Sequence, residues 1–347
     1  MKRIILLLLV FLLFVPVPVN AMEFEAPEAP SNSEKYMPDQ PESFAQGVWY
    51  IFKTAIKDFV PDLYETAGLC LSVFTVMLVT SIVDSFPGAP GNATHLASSV
   101  LIGILLMNPA NVLINFGTQA IRQISEYGNL LIPVLTGAHA AQGGVSSSGA
   151  MYVITAFFSS VFTTLITKLA IPMLYLYFCL CVLNGAIGDQ ILKNLQNFIK
   201  WSITWTLKIL LYTFTGFIGI TGVVSGSADA SAVKAVKLTI SGMIPLVGGI
   251  ISDASETILV SAGVMKSTAG VYGLLAILSI FIGPFLKIGT QYLMLKITSS
   301  ICSVFAAKRE SELLKDFSGG MGMILAMTGT VCLFLMIAIV CFMKGVS

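Results

Sequence analysis

Apolar positions fall in long runs along the chain, and the period inside the first of them is helical. Phe44, Val48, Ile51, Phe52, Ala55, Ile56, Phe59 and Leu63 share one face, with Gln46, Lys53 and Lys57 opposite. This pattern predicts an amphipathic helix over 44–65 lying in a membrane interface, with Trp49-Tyr50 at headgroup level. Charge-free spans follow at Ala67–Val83, Leu96–Gly117, Ile209–Ser227 and Met321–Met343. Two longer runs, about Ala150–Ile187 and Gly270–Ala306, hold isolated lysines: Lys168 in the first, Lys287 and Lys296 in the second. At about 1.5 Å per residue each reaches roughly 55 Å, well beyond a hydrocarbon core of about 30 Å. Each is one long or kinked span, or two short ones hinged near Pro172 or Pro284; single long spans are the reading adopted. The pattern predicts an all-α polytopic helical membrane protein with about six spans, in a range of roughly five to eight.

Composition agrees with the pattern. Only 11% of the 347 residues are charged and 56% are apolar, where a soluble domain carries about 25% charge. A soluble fold of this length would have to show much of that apolar surface to water. Disorder is excluded by the same balance. Three arginines and a net charge of +1 leave no basic footprint for nucleic acid.

The N-terminus reads as a targeting segment. Lys2 and Arg3 precede the apolar run Ile4 to Val15, closed by Pro16 and Pro18, and Val19-Asn20-Ala21 forms a small-residue cleavage site. Twelve apolar residues suit a signal-peptide core and are too few to span a bilayer. Residues 1–21 are therefore expected to be a signal peptide, with an uncleaved anchor as the competing reading. Residues 22–43 follow with Glu23, Glu25, Glu28, Glu34, Asp39 and Glu42, one lysine and four prolines. They predict an exported, disordered acidic tail. Residues 66–347 then form the polytopic membrane domain.

That domain reads as a diverged internal repeat. Ala120-x-Arg122 and Ile132-Pro133-Val134-Leu135-x-Gly137 recur 112 residues later as Ala232-x-Lys234 and Ile244-Pro245-Leu246-Val247-x-Gly249. The units are about 96–207 and 208–318, with a final span at 320–343. Both copies would keep one orientation, as in parallel repeats of transport proteins; chance likeness of two Gly/Ala-rich stretches is the competing reading. With the tail outside, the linkers 189–208 and 307–318 lie inside, each with three basic residues (Lys193, Lys200, Lys208; Lys308, Arg309, Lys315), as the positive-inside tendency requires. Lys234, Lys237 and Lys266 fall outside on this topology and oppose it.

Catalytic and metal chemistry find little support. His95 and His139, the two histidines, stand at no ligand spacing from a carboxylate or cysteine and read as loop residues. The six cysteines lie in apolar runs and read as small buried hydrophobes. Neither a nucleophile elbow, nor a phosphate loop, nor H-E-x-x-H is present. Asn108-Pro109-Ala110 has the letters of the aquaporin signature without its second copy, and reads as a proline break in a span. No cofactor or metal is expected.

Charge beside the membrane is more informative. Lys168 and Lys287 either line a polar path or snorkel to a boundary. Lys193, Lys200 and Lys208 form one helical stripe beside Trp201 and Trp205, suited to anionic headgroups or to a cytoplasmic protein. Gly216, Gly219, Gly222 and Gly226 line one span, a pattern that favours close helix packing.

The densest stretch is Ser225 to Lys266. Asp229 or a neighbouring serine caps a helix to about Met243, Pro245 and Gly248-Gly249 break it, and Asp253 with Glu256 opens a second helix. In an antiparallel hairpin turning at Leu246–Val247, Lys237 faces Glu256, with Lys234 and Asp253 on the same face. Two charges in so apolar a stretch are costly unless paired, or each faces water at a vestibule.

Ser227-Ala-Asp-Ala, Ile244-Pro-x-Val-Gly-Gly, Ser252-Asp-Ala-Ser-Glu-Thr, Ser261-Ala-Gly and Gly283-Pro-Phe-Leu-Lys287 together resemble the stage III sporulation protein AE family, and the layout fits from about residue 45 to the end. The resemblance implies a non-enzymatic, multi-pass component of the channel joining mother cell to forespore, in the mother-cell membrane around the forespore. It implies as partners the other proteins of the same sporulation operon, including a cytoplasmic ATPase and ring-forming proteins, and a forespore partner across the gap. Membrane lipids are expected from the spans themselves. The competing class is a free-standing secondary transporter with its substrate site at the repeat interface.

Overall fold

The computed structural model describes residues 26–38, 43–86, 91–141, 145–220, 268–305 and 308–344. Every regular element among them is helical. α1 is the single turn Ser31–Glu34; the long helices are α2 Phe44–Asp84, α3 Gly91–Ala141, α4 Val145–Leu165, α5 Ile171–Ile187, α6 Gln190–Ile220, α7 Thr268–Cys302 and α8 Lys308–Lys344. Five continuous helical stretches among the described residues are long and apolar enough to cross a membrane, with α4 and α5 forming one of them. α6 is not among the five, because its first half alternates polar and apolar residues.

The helices run back and forth between two ends of a bundle. Asp84, His95 and Glu310 meet at one end, where Gly188 also packs against Arg309; this is the turn end. At the other end Gly47 packs on Leu275 and Gly270 on Met343. α8 is the innermost helix. Phe334 stacks on Phe162 of α4 at 4.7 Å between ring centroids and meets Phe214 of α6 edge-on at 4.5 Å, contacts of about 0.5–1.5 kcal/mol each beyond their buried area. At the turn end Phe178 packs between Tyr177 and Phe317.

Among the described residues four prolines lie inside long helices, one of them Pro109, which was expected to break a span. Pro61 sits within α2, Pro109 and Pro133 within α3, and Pro284 within α7. Each removes one backbone donor, a loss that long helices absorb when neighbouring helices hold them on several sides. The amphipathic helix over 44–65 and the span over 67–83 are accordingly one helix of 41 residues, about 61 Å long at about 1.5 Å per residue. The Ile132-Pro133 element, half of the repeat reading, is likewise uninterrupted. The run at 150–187 is also one continuous helical stretch, with its adjustment at the expected place. A π-turn, Ile166–Ala170, joins α4 to α5 just ahead of Pro172, where the missing proline N–H leaves the Lys168 carbonyl without its helical donor.

Residues 26–38 are packed rather than a free tail. Met37 and Ser33 are buried, the Tyr127 hydroxyl donates to the Pro27 carbonyl at 3.2 Å, and the Lys35 ammonium meets Asp58 of α2 at 2.6 Å. That hydrogen bond, helped by one to Tyr36, holds the Lys35 amine above the ordinary lysine range, against the small opposing effect of burial. Composition favoured disorder here, but Ala26, Ala29, Tyr36 and Met37 supply enough apolar surface to join the core.

Candidate functional site

The turn end gathers charged groups whose partners lie far away in sequence. Asp84 is the last residue of α2, His95 stands in the second turn of α3, and Glu310 is in the first turn of α8. His95 Nδ1 lies 2.9 Å from Glu310 Oε1, and His95 Nε2 lies 3.4 Å from Asp84 Oδ2. The Ser98 hydroxyl donates to the same Glu310 oxygen at 2.5 Å. Glu310 has no exposed surface, and its second oxygen Oε2 is buried without a partner. Its place in the first turn of α8 favours a negative charge, because the amide dipoles there point their positive ends toward it.

A second pair closes the neighbouring corner. Lys193, in the first turn of α6, bridges both carboxylate oxygens of Asp316 at 2.8 and 2.7 Å, with 28% and 14% of the two side chains exposed. The Tyr177 hydroxyl donates to the Asp316 carbonyl at 2.9 Å, and buried Gln196 donates to the Leu180 carbonyl at 2.8 Å. Together these tie α5, α6 and α8. Ser299 and Ser311 exchange hydroxyl-to-carbonyl bonds of 2.7 and 2.8 Å across the α7–α8 turn. Gly188 ends α5 with φ of 73°, a left-handed conformation that glycine adopts without strain.

The lysine stripe is therefore divided. Lys193 is committed to Asp316, whereas Lys200 is exposed and Lys208 half-buried. The exposed face of α6 beside them carries Phe198, Trp201 and Trp205, whose rings follow one another at 6.1 and 6.0 Å. Along that helix, residues 190–220 contain three lysines and no acid.

Lys287 pairs with Asp62 of α2 at 3.1 Å, about a third of each side chain remaining exposed. Lys168 is exposed on the π-turn. Among the described residues nothing lies within 4 Å of where a Cβ on Gly216 would stand. Cys179 is exposed, while Cys70, Cys181, Cys302, Cys332 and Cys341 are buried and unbridged. Among the described residues no group of three His, Cys, Asp or Glu side chains is arranged to hold a metal ion. Asp229, Lys234, Lys237, Pro245, Gly248, Gly249, Asp253 and Glu256 lie outside the described residues, as do the signal peptide and the second copy of the Ile-Pro element.

Sequence spacing did not reveal the His95 cluster. His95 was read as a loop residue; it lies inside α3, and its partner Glu310 is 215 positions away. The one available signal was indirect: Glu310 and Asp316 are acids in a chain that has little charge to spare.

A family model described as Stage III sporulation protein AE matches residues 35–345. A stage III sporulation protein AE of Bacillus subtilis (strain 168) is 24% identical over 198 residues, covering 57% of this chain and 50% of that protein. The aligned stretch thus spans about half the length of this curated relative. No solved structure matches the chain.

Proposed function

The chain belongs to the stage III sporulation protein AE family and has a role in sporulation, and from that premise we propose that it is a non-enzymatic membrane component of a multiprotein, secretion-like channel between mother cell and forespore. The observation that carries this reading beyond the family is the position of α8. Its apolar stretch is the most buried of the five, and Phe334 at its middle packs between Phe162 and Phe214. A centre filled by aromatic side chains suits a scaffold that conducts only in assembly with others. It suits a free-standing transporter poorly, since such a protein places polar ligands at mid-membrane. Buried hydroxyls in the middle of the bundle mostly bond their own helices, as Thr215 does to Leu211 and Thr330 to Ala326.

In this reading the protein resides in the mother-cell membrane around the forespore, with a signal peptide directing export of its N-terminus and with the turn end in the cytoplasm. Lys200, Lys208 and the aromatic face of α6 meet anionic headgroups there, and the lysines suit either lipid or a cytoplasmic partner. Its protein partners are the other products of the same sporulation operon, a cytoplasmic ATPase and ring-forming proteins among them, with a forespore partner across the gap.

The test pairs two measurements. The full chain reconstituted alone in liposomes is expected to move no solute, while affinity capture from sporulating cells is expected to recover the operon's other products with it. Saturable transport by the chain alone would favour the transporter reading instead.

A further inference from the structure

His95 has a carboxylate oxygen at each of its two ring nitrogens, 2.9 Å from Nδ1 and 3.4 Å from Nε2. A neutral imidazole carries one N–H and one lone pair. It can donate to Glu310 or to Asp84, but the other contact then sets a lone pair against a carboxylate. Both contacts are attractive only when the cluster holds one more proton. The Glu310 oxygen facing Nδ1 also meets the Ser98 hydroxyl at 2.5 Å, whose longer contact is the His95 carbonyl at 3.0 Å; with Ser98 donating along the shorter contact, that oxygen is an acceptor and the ring is its donor. The carboxylate is wholly buried, and an ionised carboxylate in such a place needs an opposite charge. An imidazolium supplies that charge and both hydrogens together.

We propose that Asp84, His95 and Glu310 form a proton-binding site at the turn end, in which an imidazolium at His95 fastens the end of α2 and the start of α3 to the start of α8. From α2 the facing charge is Asp84, and from α8 it is Glu310; Arg309, next to Glu310, turns to Gly188. α3 adds the Ser98 hydroxyl, and α5 reaches this corner with Gly185, beside Ser99 and Leu313. The flanking turn sequences Pro87-Gly-Ala-Pro90 and Ala306-Ala307 hold no ionisable side chain. The sign follows from the chemistry: the charged ring makes both contacts, so the fastening is complete with the proton bound and is lost as rising pH removes it.

The experiment uses the full chain in lipid nanodiscs with ¹⁵N-labelled histidine. A His139→Gln background leaves His95 as the sole histidine, and Ser99→Cys places a thiol at a fully buried position of α3 in this corner, its labelling read by peptide mass spectrometry apart from that of the native cysteines. Both ring nitrogens should report the imidazolium form while the contact is closed. Thiol labelling at position 99 should then quicken on the order of tenfold as the second ring proton leaves, the scale of one hydrogen bond to a charged group. Asp84→Asn, which keeps the shape, should move both transitions together to lower pH. A neutral ring in the closed state would overturn the proposal. So would a protonated Glu310, seen as a carboxyl stretch that disappears in Glu310→Gln, and so would labelling that ignores the ring's titration.

Discussion

Asp62 and Lys287 meet at 3.1 Å across the α2–α7 seam where each helix has just passed a proline, Pro61 on one side and Pro284 on the other. α2 buries Phe44, Gly47, Ile51 and Ala55 below this point and Cys70, Val73, Met77 and Thr80 above it, with no fully buried residue between. The pair thus bridges the stretch in which α2 is held least by packing. With about a third of each side chain exposed, its contribution is expected near that of a surface pair, about 0.5–1 kcal/mol. Asp62→Lys and Lys287→Asp should each lower the thermal midpoint of the purified protein by a few degrees. The double swap should recover most of the loss; if it proves additive, the two charges act separately.

Three lysines that read as one stripe should behave as two kinds. Lys193 and Asp316 are mostly buried and doubly bonded, so Lys193→Met strands a carboxylate and should cost about 2–4 kcal/mol. Lys200→Met and Lys208→Met should each change stability by less than about 1 kcal/mol and instead weaken binding to anionic vesicles. Thermal melting in detergent and co-flotation with vesicles containing phosphatidylglycerol separate the two effects. Equal destabilisation by all three changes would contradict the division.

Glycines divide in the same manner. A Cβ on Gly320 would run into the Phe178 ring, and one on Gly273 into Leu131, whereas one on Gly68 or Gly216 would meet nothing within 4 Å among the described residues. Gly320→Ala should therefore destabilise by about 1–3 kcal/mol through overpacking beside the Tyr177–Phe178–Phe317 cluster. Gly216→Ala should be neutral or stabilise by up to about 1 kcal/mol through helix propensity. Melting temperatures of the two variants test the contrast, and a destabilised Gly216→Ala would restore the close-packing role first read from the glycine spacing.

Much of the fold was legible in the sequence because hydrophobic run length is a local property. The long helices at 150–187 and 270–302 and the final span follow from counting apolar residues. Pro109, expected to break a span, was the misleading letter. It sits within an unbroken helix, as does Pro133, because in a helical bundle the neighbours, and not the local sequence, decide whether one lost hydrogen bond ends a helix. The site was less legible for a related reason. Lys193 stood out by spacing along α6, but its partner Asp316 lies 123 positions away and Glu310 lies 215 from His95. Pairings of that range are set by how helices dock, which leaves no pattern in one chain.

The docking of residues 26–38 yields the last prediction. Met37 is buried, Tyr36 packs on the core, and Tyr127 donates to the Pro27 carbonyl, so the segment is held by apolar contact at one end and by a backbone hydrogen bond at the other. Lys35–Asp58 is short but exposed, and an exposed pair should contribute little. Asp58→Asn should therefore leave the segment docked, while Met37→Ser, which removes the buried anchor, should release it at a cost of about 1–3 kcal/mol of local stability. A glutamate-specific protease reads the difference at Glu28 and Glu34, which are exposed in the packed segment but held in a conformation that a protease must unfold to cleave. Cutting should be slow in the native protein and in Asp58→Asn, and at least roughly tenfold faster in Met37→Ser. Fast cutting in Asp58→Asn would mean that charge, and not the Met37 contact, holds this segment to the bundle.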